Sequence, residues 1–165
     1  MAHHLLVCGV GSGMENSLPE IFDLADRVTV IGDQFDTEIV QGRRVNYINC
    51  YPRDYEAVLH ALKSCGVEDM TSTFTLGYEN PLVIANLNEH YGLPGLSVEQ
   101  AENCLLKDKR ISLLSRAGVN TARFRVIRSL EEGMDFLATV DTGIVKPNDK
   151  TSSIGVSIID KDSNA

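Results

Sequence analysis

Basic residues are scarce in this 165-residue chain: 15 Lys and Arg stand against 23 Asp and Glu, a net charge of −8. Neutralising a nucleic-acid backbone takes clustered cations, so a generalised nucleic-acid-binding surface is excluded. A local anion site in a cleft is not, because a few lysines act against an acidic background. Cysteine is limited to Cys8, Cys50, Cys65 and Cys104, and no two form a CxxC pair. That spacing argues against a zinc site or a disulfide framework. Each cysteine lies in or beside an apolar segment, so four buried free thiols are expected. Long apolar runs are missing too, and "MAHHLLVCGVGSG" has no basic stretch ahead of its apolar residues. Neither a signal peptide nor a membrane span is therefore expected, and the cytoplasm is the expected compartment. His3 and His4 read as solvated end residues with no third metal ligand nearby. No internal repeat or low-complexity tract interrupts the chain.

What remains is a globular composition, 43% hydrophobic and 23% charged. The run "HLLVCGVGSG" reads as a buried parallel strand turning into a helix over about residues 17–25, and "RVTVIGD" as a second strand. "VNYINC" gives a third strand. Tyr55, Val58, Leu59, Leu62 and Cys65 repeat at helical spacing, with Gly66 at the position after the helix. "TSTFTL" gives a fourth strand, and a helix with Asn80 as N-cap and Pro81 at its first position ends at Gly92. Alternating strands and helices predict an α/β fold, a Rossmann-like, doubly wound parallel sheet.

The pattern changes at "GLPGLS". Ser97 and Gln100 make a capping box for a helix to about residue 106, and Asp108 reads as the N-cap of another, carrying Ile111, Leu114 and Ala117 and ending at Gly118. "ARFRVIRS" is expected as a strand, and Ser129 with Glu132 as a second capping box. Residues 144–145 and 156–159 then form a hairpin around a long polar loop. A smaller α+β unit is thus expected to begin near residue 105.

Two places could carry chemistry. Gly9, Gly11 and Gly13 of "GVGSGM" follow a strand and precede a helix, which suits a phosphate, and Asp33 ends the second strand where a dinucleotide fold keeps its ribose-binding acid. The third glycine of G-x-G-x-x-G falls at Met14, however, and the same glycines serve a tight βα turn. The second place is the closing hairpin. Lys146 ends a strand just before Pro147, which stops ladder pairing. The loop beyond it holds Thr151, Ser152 and Ser153 hydroxyls and the flexible backbone of Gly155. A point charge beside such donors suits polyphosphate, whereas a lone lysine there would be a surface residue. Lys109, inside a helix start, is a second cation able to reach the same place.

The stretch "LLKDKRISLLSRAGVNTARFRVIRSLEEGMDFLATVDTGIVKPNDKTSSIGVSII" resembles the opening of an ATP-grasp domain. "YGLPGLSVEQAENCLLKDK" and the residues before it resemble the pre-ATP-grasp domain of biotin carboxylase and carboxylate–amine ligases. The resemblance implies a pre-ATP-grasp domain over residues 1–104 and an incomplete ATP-grasp nucleotide-binding subdomain over 105–165. By that resemblance Lys109 and Lys146 match the lysines that contact ATP phosphates, and Thr151, Ser152, Ser153 and Gly155 match the loop that folds over them. The "SSIGV" form is more like the amino-acid ligases than biotin carboxylase. Such enzymes use ATP and Mg²⁺ to convert a carboxylate into an acyl phosphate, which an amine then displaces. The implied partners are small-molecule carboxylates and amines, amino acids among them, with a homodimer contact through the first domain.

Family enzymes hold the metal late in the domain and clamp adenine beyond this hairpin. The chain is therefore expected to be an N-terminal piece, inactive alone, with no catalytic or metal residue of its own. Asp160 and Asp162 read as solvated, and Asp33 and Glu79 lie at strand ends facing the cleft. The alternatives from the residues themselves are a dinucleotide-binding Rossmann protein and a non-catalytic dimerisation module.

Overall fold

A computed structural model of the chain describes residues 2–33, 38, 45–150 and 152–160. Contacts divide the chain into two compact units, Met1–Ala101 and Glu102–Ala165.

The first unit is built on four parallel strands, β1 (His4–Val10), β2 (Arg27–Gly32), β3 (Val45–Asn49) and β4 (Ser72–Leu76), in the order β3-β2-β1-β4. The inner strands read as unbroken apolar runs because both faces are covered. Leu5, Val7, Val28 and Val30 face Leu18, Ile21 and Phe22 on one side. Leu6, Cys8 and Ile31 face Val58, Leu62, Val83 and Leu87 on the other. The first set belongs to α1 (Leu18–Phe22), the second to α2 (Tyr55–Ser64) and α3 (Pro81–Tyr91). Burying each such side chain contributes about 1.5–3 kcal/mol before entropy is counted.

Local signals set most boundaries. Asp54 caps α2 by accepting from the Ala57 N–H at 3.1 Å, and Gly66 follows with φ +65°. α3 ends at left-handed Gly92. Ser97 and Gln100 bond reciprocally, at 3.2 and 2.9 Å, ahead of α4 (Val98–Leu105).

Several expectations change. α1 is only five residues long, preceded by a 3₁₀ turn at Glu15–Ser17, since Ser17 provides no side-chain cap. Asn80 holds the N-cap position of α3 as expected, but its side chain makes no capping bond; its buried amide donates instead to the Cys8 and Pro52 carbonyls, at 2.9 and 3.0 Å. His4 is 2% exposed. Its Nδ1 lies 2.9 Å from the Asp69 carboxylate and its Nε2 2.9 Å from the Thr29 hydroxyl. The carboxylate therefore places a proton on Nδ1. His3 is exposed but tied to Leu24, Asp26 and Ser72. Of the four free thiols only Cys8 is buried, and Cys65 and Cys104 are exposed. Cys65 sits at the C-cap of α2, past the stretch that faces the sheet.

The second unit holds α5 (Lys107–Arg116), α6 (Leu130–Leu137) and an antiparallel pair, β5 (Thr142–Val145) with β6 (Ser157–Asp160). The Ser129 hydroxyl caps α6 as expected, accepting from the Glu132 N–H, while the Glu132 carboxylate reaches one residue further back to the Arg128 N–H. Residues 122–128 are not a strand: the alternation of Phe124 and Val126 is present, but a strand exists only through ladder partners, and among the described residues β5 and β6 pair only with each other. α5 begins two residues earlier than expected, with Leu106 at the N-cap and Asp108 inside the helix.

Candidate functional site

The polar loop of the second unit springs from the Val145–Ser157 pair that closes the hairpin. Lys146 leaves β5 exposed and makes no ion pair among the described residues. Pro147 follows and cannot donate to a ladder. At the far side the backbone turns through left-handed conformations at Ser152 (φ 53°), Ser153 (φ 59°) and Gly155 (φ 69°). For the two serines this is a strained conformation, of the kind stored at functional sites. Gly155 lies so close to Pro147 that a Cβ would stand 2.8 Å from its Cγ, which explains the loop's single glycine. The hydroxyls of Ser152 and Ser153 are exposed; Thr151 lies outside the described residues.

The base of the loop is bonded to the start of α5. A helix leaves its first N–H groups without intrahelical acceptors. Leu106 has no side chain to satisfy them, and Asn148, forty residues away, does so instead. Its side-chain oxygen accepts from the Asp108 N–H at 3.0 Å, and its carbonyl from the Lys107 N–H at 3.2 Å. Its amide donates back to the Asp108 carboxylate at 2.7 Å. That bond holds the Asp108 carboxyl below its ordinary value, helped by the Lys109 backbone. Lys107 also reaches over, its ammonium donating to the Asn148 and Lys150 carbonyls.

The arrangement brings two sequence segments of the site together. Asp108 is the neighbour of Lys109, and Asn148 is two residues beyond Lys146. Lys109, third residue of α5, forms an ion pair with Glu102 of the same unit. Lys150 pairs loosely with Asp149 at 3.8 Å. Sequence reasoning missed Lys107, Glu102 and Asn148 as parts of this region. Asn148 read only as part of the polar loop after Pro147, and no periodicity points from residue 148 to residue 108.

Cationic ammonium groups, serine hydroxyls and a turned loop form a donor set that fits phosphate oxygens. Magnesium is a different matter: among the described residues no group of three His, Cys, Asp or Glu could hold a metal. Asp160 accepts from the Thr142 hydroxyl at 2.7 Å, and so belongs to the hairpin; Asp162 lies outside the described residues.

In the first unit the glycine-rich turn after β1 has a structural occupant. Gly11 packs on Gly77, its N–H bonded to the Leu76 carbonyl at 2.7 Å, and Gly9 packs on the Tyr78 ring. The helix that follows has five residues. Gly9 and Gly11 thus serve close approach of the β1 and β4 loops, while Gly13 takes a left-handed conformation in open space. Asp33 and Glu79 are both exposed beyond strand ends.

Comparison with known proteins adds to this geometry. No protein-family model matches the chain. An L-amino acid ligase from Bacillus licheniformis superposes on 96% of it with a TM-score of 0.69 and 25% identity. The fold is that of the ATP-grasp ligases. The biotin carboxylase domain of Hydrogenobacter thermophilus 2-oxoglutarate carboxylase, solved with MgADP and bicarbonate, shares this ATP-grasp fold over 97% of the chain, with a TM-score of 0.72 and 18% identity. Among curated proteins, the alanine–anticapsin ligase of Bacillus amyloliquefaciens is 33% identical over 97 residues, 56% of this chain. The chain spans 21% of that ligase and 39% of the L-amino acid ligase. No helix among the described residues is long and apolar enough to cross a membrane.

Proposed function

We propose that this chain supplies the phosphate-binding hairpin of an ATP-dependent carboxylate–amine ligase acting on amino acids. Residues 1–104 are the pre-ATP-grasp domain in this reading, and 105–165 the first part of the ATP-grasp domain. The carrying observation is the joining of the Lys109 and Lys146 segments by Asp108 and Asn148, in a chain whose fold is that of an L-amino acid ligase.

Each group has a distinct task. Lys146 and Lys109 bind and orient the β- and γ-phosphates as point charges. The Ser152 and Ser153 hydroxyls, Thr151 and the N–H groups near Gly155 donate to phosphate oxygens and shield them from water. ATP supplies the phosphoryl group that activates the carboxylate. Mg²⁺ belongs to the same proposed chemistry, but the described residues alone would not seat it. The 165-residue chain should accordingly bind ATP weakly, with a Kd of about 1 mM or above, and should not turn over.

Amide chemical shifts of the full chain, followed during titration with ATP and separately with NAD(P), test the reading. ATP should move the signals of Lys109, Lys146, Ser152, Ser153 and Gly155. Shifts confined to Gly9–Met14 and induced by NAD(P) would instead identify a dinucleotide site.

A further inference from the structure

Asn148 does more than turn the chain. It occupies the first two N–H groups of α5 from forty residues away, and its amide is bonded in return by the Asp108 carboxylate. Lys107 adds bonds from its ammonium to the Asn148 and Lys150 carbonyls. Asn148 itself is exposed, so this bonding sits at the protein surface and not within a core. By contrast, among the described residues the loop tip is held only by a backbone bond from Val156 to Ser153, at 3.3 Å, and by the contact of Gly155 with Pro147.

The base of the loop is therefore fixed to α5 while its tip is lightly held. The bonded pair links the segments of the two candidate phosphate lysines: Asp108 precedes Lys109 directly, and Asn148 follows Lys146 by two residues. Because Asn148 already occupies the Lys107 and Asp108 N–H groups, a phosphate there would meet lysine ammonium groups and not those two helix N–H groups.

We infer that Asn148 is a positioning residue, whose reciprocal bonding with Asp108 sets the phosphate loop against the Lys109 turn of α5 and so governs affinity for a nucleoside triphosphate. The inference rests on the phosphate-binding reading proposed above. It predicts that the pairing matters, not the identity of either side chain.

The test uses the full chain with Asn148→Asp, Asp108→Asn and the double variant that exchanges the two groups. Asn148→Asp sets two carboxylates against each other, and Asp108→Asn weakens the acceptor. The exchanged pair keeps the net charge and can again donate an amide to a carboxylate that accepts the helix N–H. Two readouts are taken: hydrogen exchange of the amides of residues 152–156, and ATP affinity from chemical shifts. Unchanged exchange in β1, β2 and β4 controls for the fold. Each single variant should speed loop exchange and weaken ATP binding about tenfold, and the double variant should restore both. Wild-type ATP affinity in the single variants would overturn the positioning role even if loop exchange rose. Failure of the double variant to restore affinity would overturn it as well. If the unaltered chain gives no ATP-dependent shifts, the phosphate reading falls and this role with it; the exchange data would still show whether the bonds hold the loop.

Discussion

The ammonium of Lys109 is held in an ion pair with the Glu102 carboxylate, seven residues back along the chain and within the same unit. A phosphate that recruits Lys109 has to compete with that carboxylate. Both side chains are partly exposed, 42% and 36%, so the pair is solvent-screened and contributes only about 0.2–1 kcal/mol. Glu102→Gln should therefore strengthen ATP binding, by about two- to fivefold, with little change in thermal stability. Titration calorimetry or shift titration of the two proteins at matched ionic strength reads the difference. Weaker binding by the variant would mean that Glu102 helps to place Lys109 instead of competing for it.

The glycine turn of the first unit makes a different, steric prediction. A Cβ on Gly11 would lie 2.2 Å from the Gly77 carbonyl oxygen, a backbone atom that cannot rotate aside. Gly11→Ala should cost about 1–3 kcal/mol through overpacking. Gly13 has open space around its Cβ direction but a φ of +82°, so Gly13→Ala should cost about 1–2 kcal/mol from the backbone alone. Urea unfolding of the two variants measures both costs. A neutral Gly11→Ala would contradict the close approach of the β1 and β4 loops.

Acid sensitivity should arise at the opposite end of the sheet. The Asp69 carboxyl is held below its ordinary value of 3.8, first by its bond to His4 and then by the nearby Arg27 charge. Between the folded and unfolded values the unfolded chain binds more protons, so stability rises with pH across that window. The contribution is present above 3.8 and is lost as pH falls through the lower folded value. Asp69→Asn should lower stability at neutral pH and flatten the decline below 3.8. Unfolding curves from pH 7 to pH 2.5 check the slope, and an acid limb as steep in the variant would contradict the assignment.

What the sequence revealed follows from how local each signal is. β1 and β2 were legible because burial on both faces writes itself as a continuous apolar run. Asn80-Pro81, Gly92 and the Ser97/Gln100 box were legible because their partners lie within a few residues, although the Asn80 side chain turned to Cys8 and Pro52. His4 was hidden, since its burial depends on Thr29 and Asp69. The segment 122–128 carried the right alternation, yet alternation does not specify a pairing neighbour. In the candidate site, the Lys146 strand end and the Ser-Ser-x-Gly turn were readable from residue type. The Asn148–Asp108 bonding was not, because a cap supplied from forty residues away leaves no spacing to detect.

The central claim is that Lys109 and Lys146 stand beside bound triphosphate, and an ATP analogue carrying a lysine-reactive acyl group on its γ-phosphate tests it most directly. Attack by a nearby amine forms an amide and releases the nucleotide, so peptide mapping reports which lysines lie at the phosphates. The account predicts labelling concentrated on Lys109 and Lys146 and suppressed by excess ATP. Even labelling across Lys63, Lys107 and Lys150, unaffected by ATP, would contradict it.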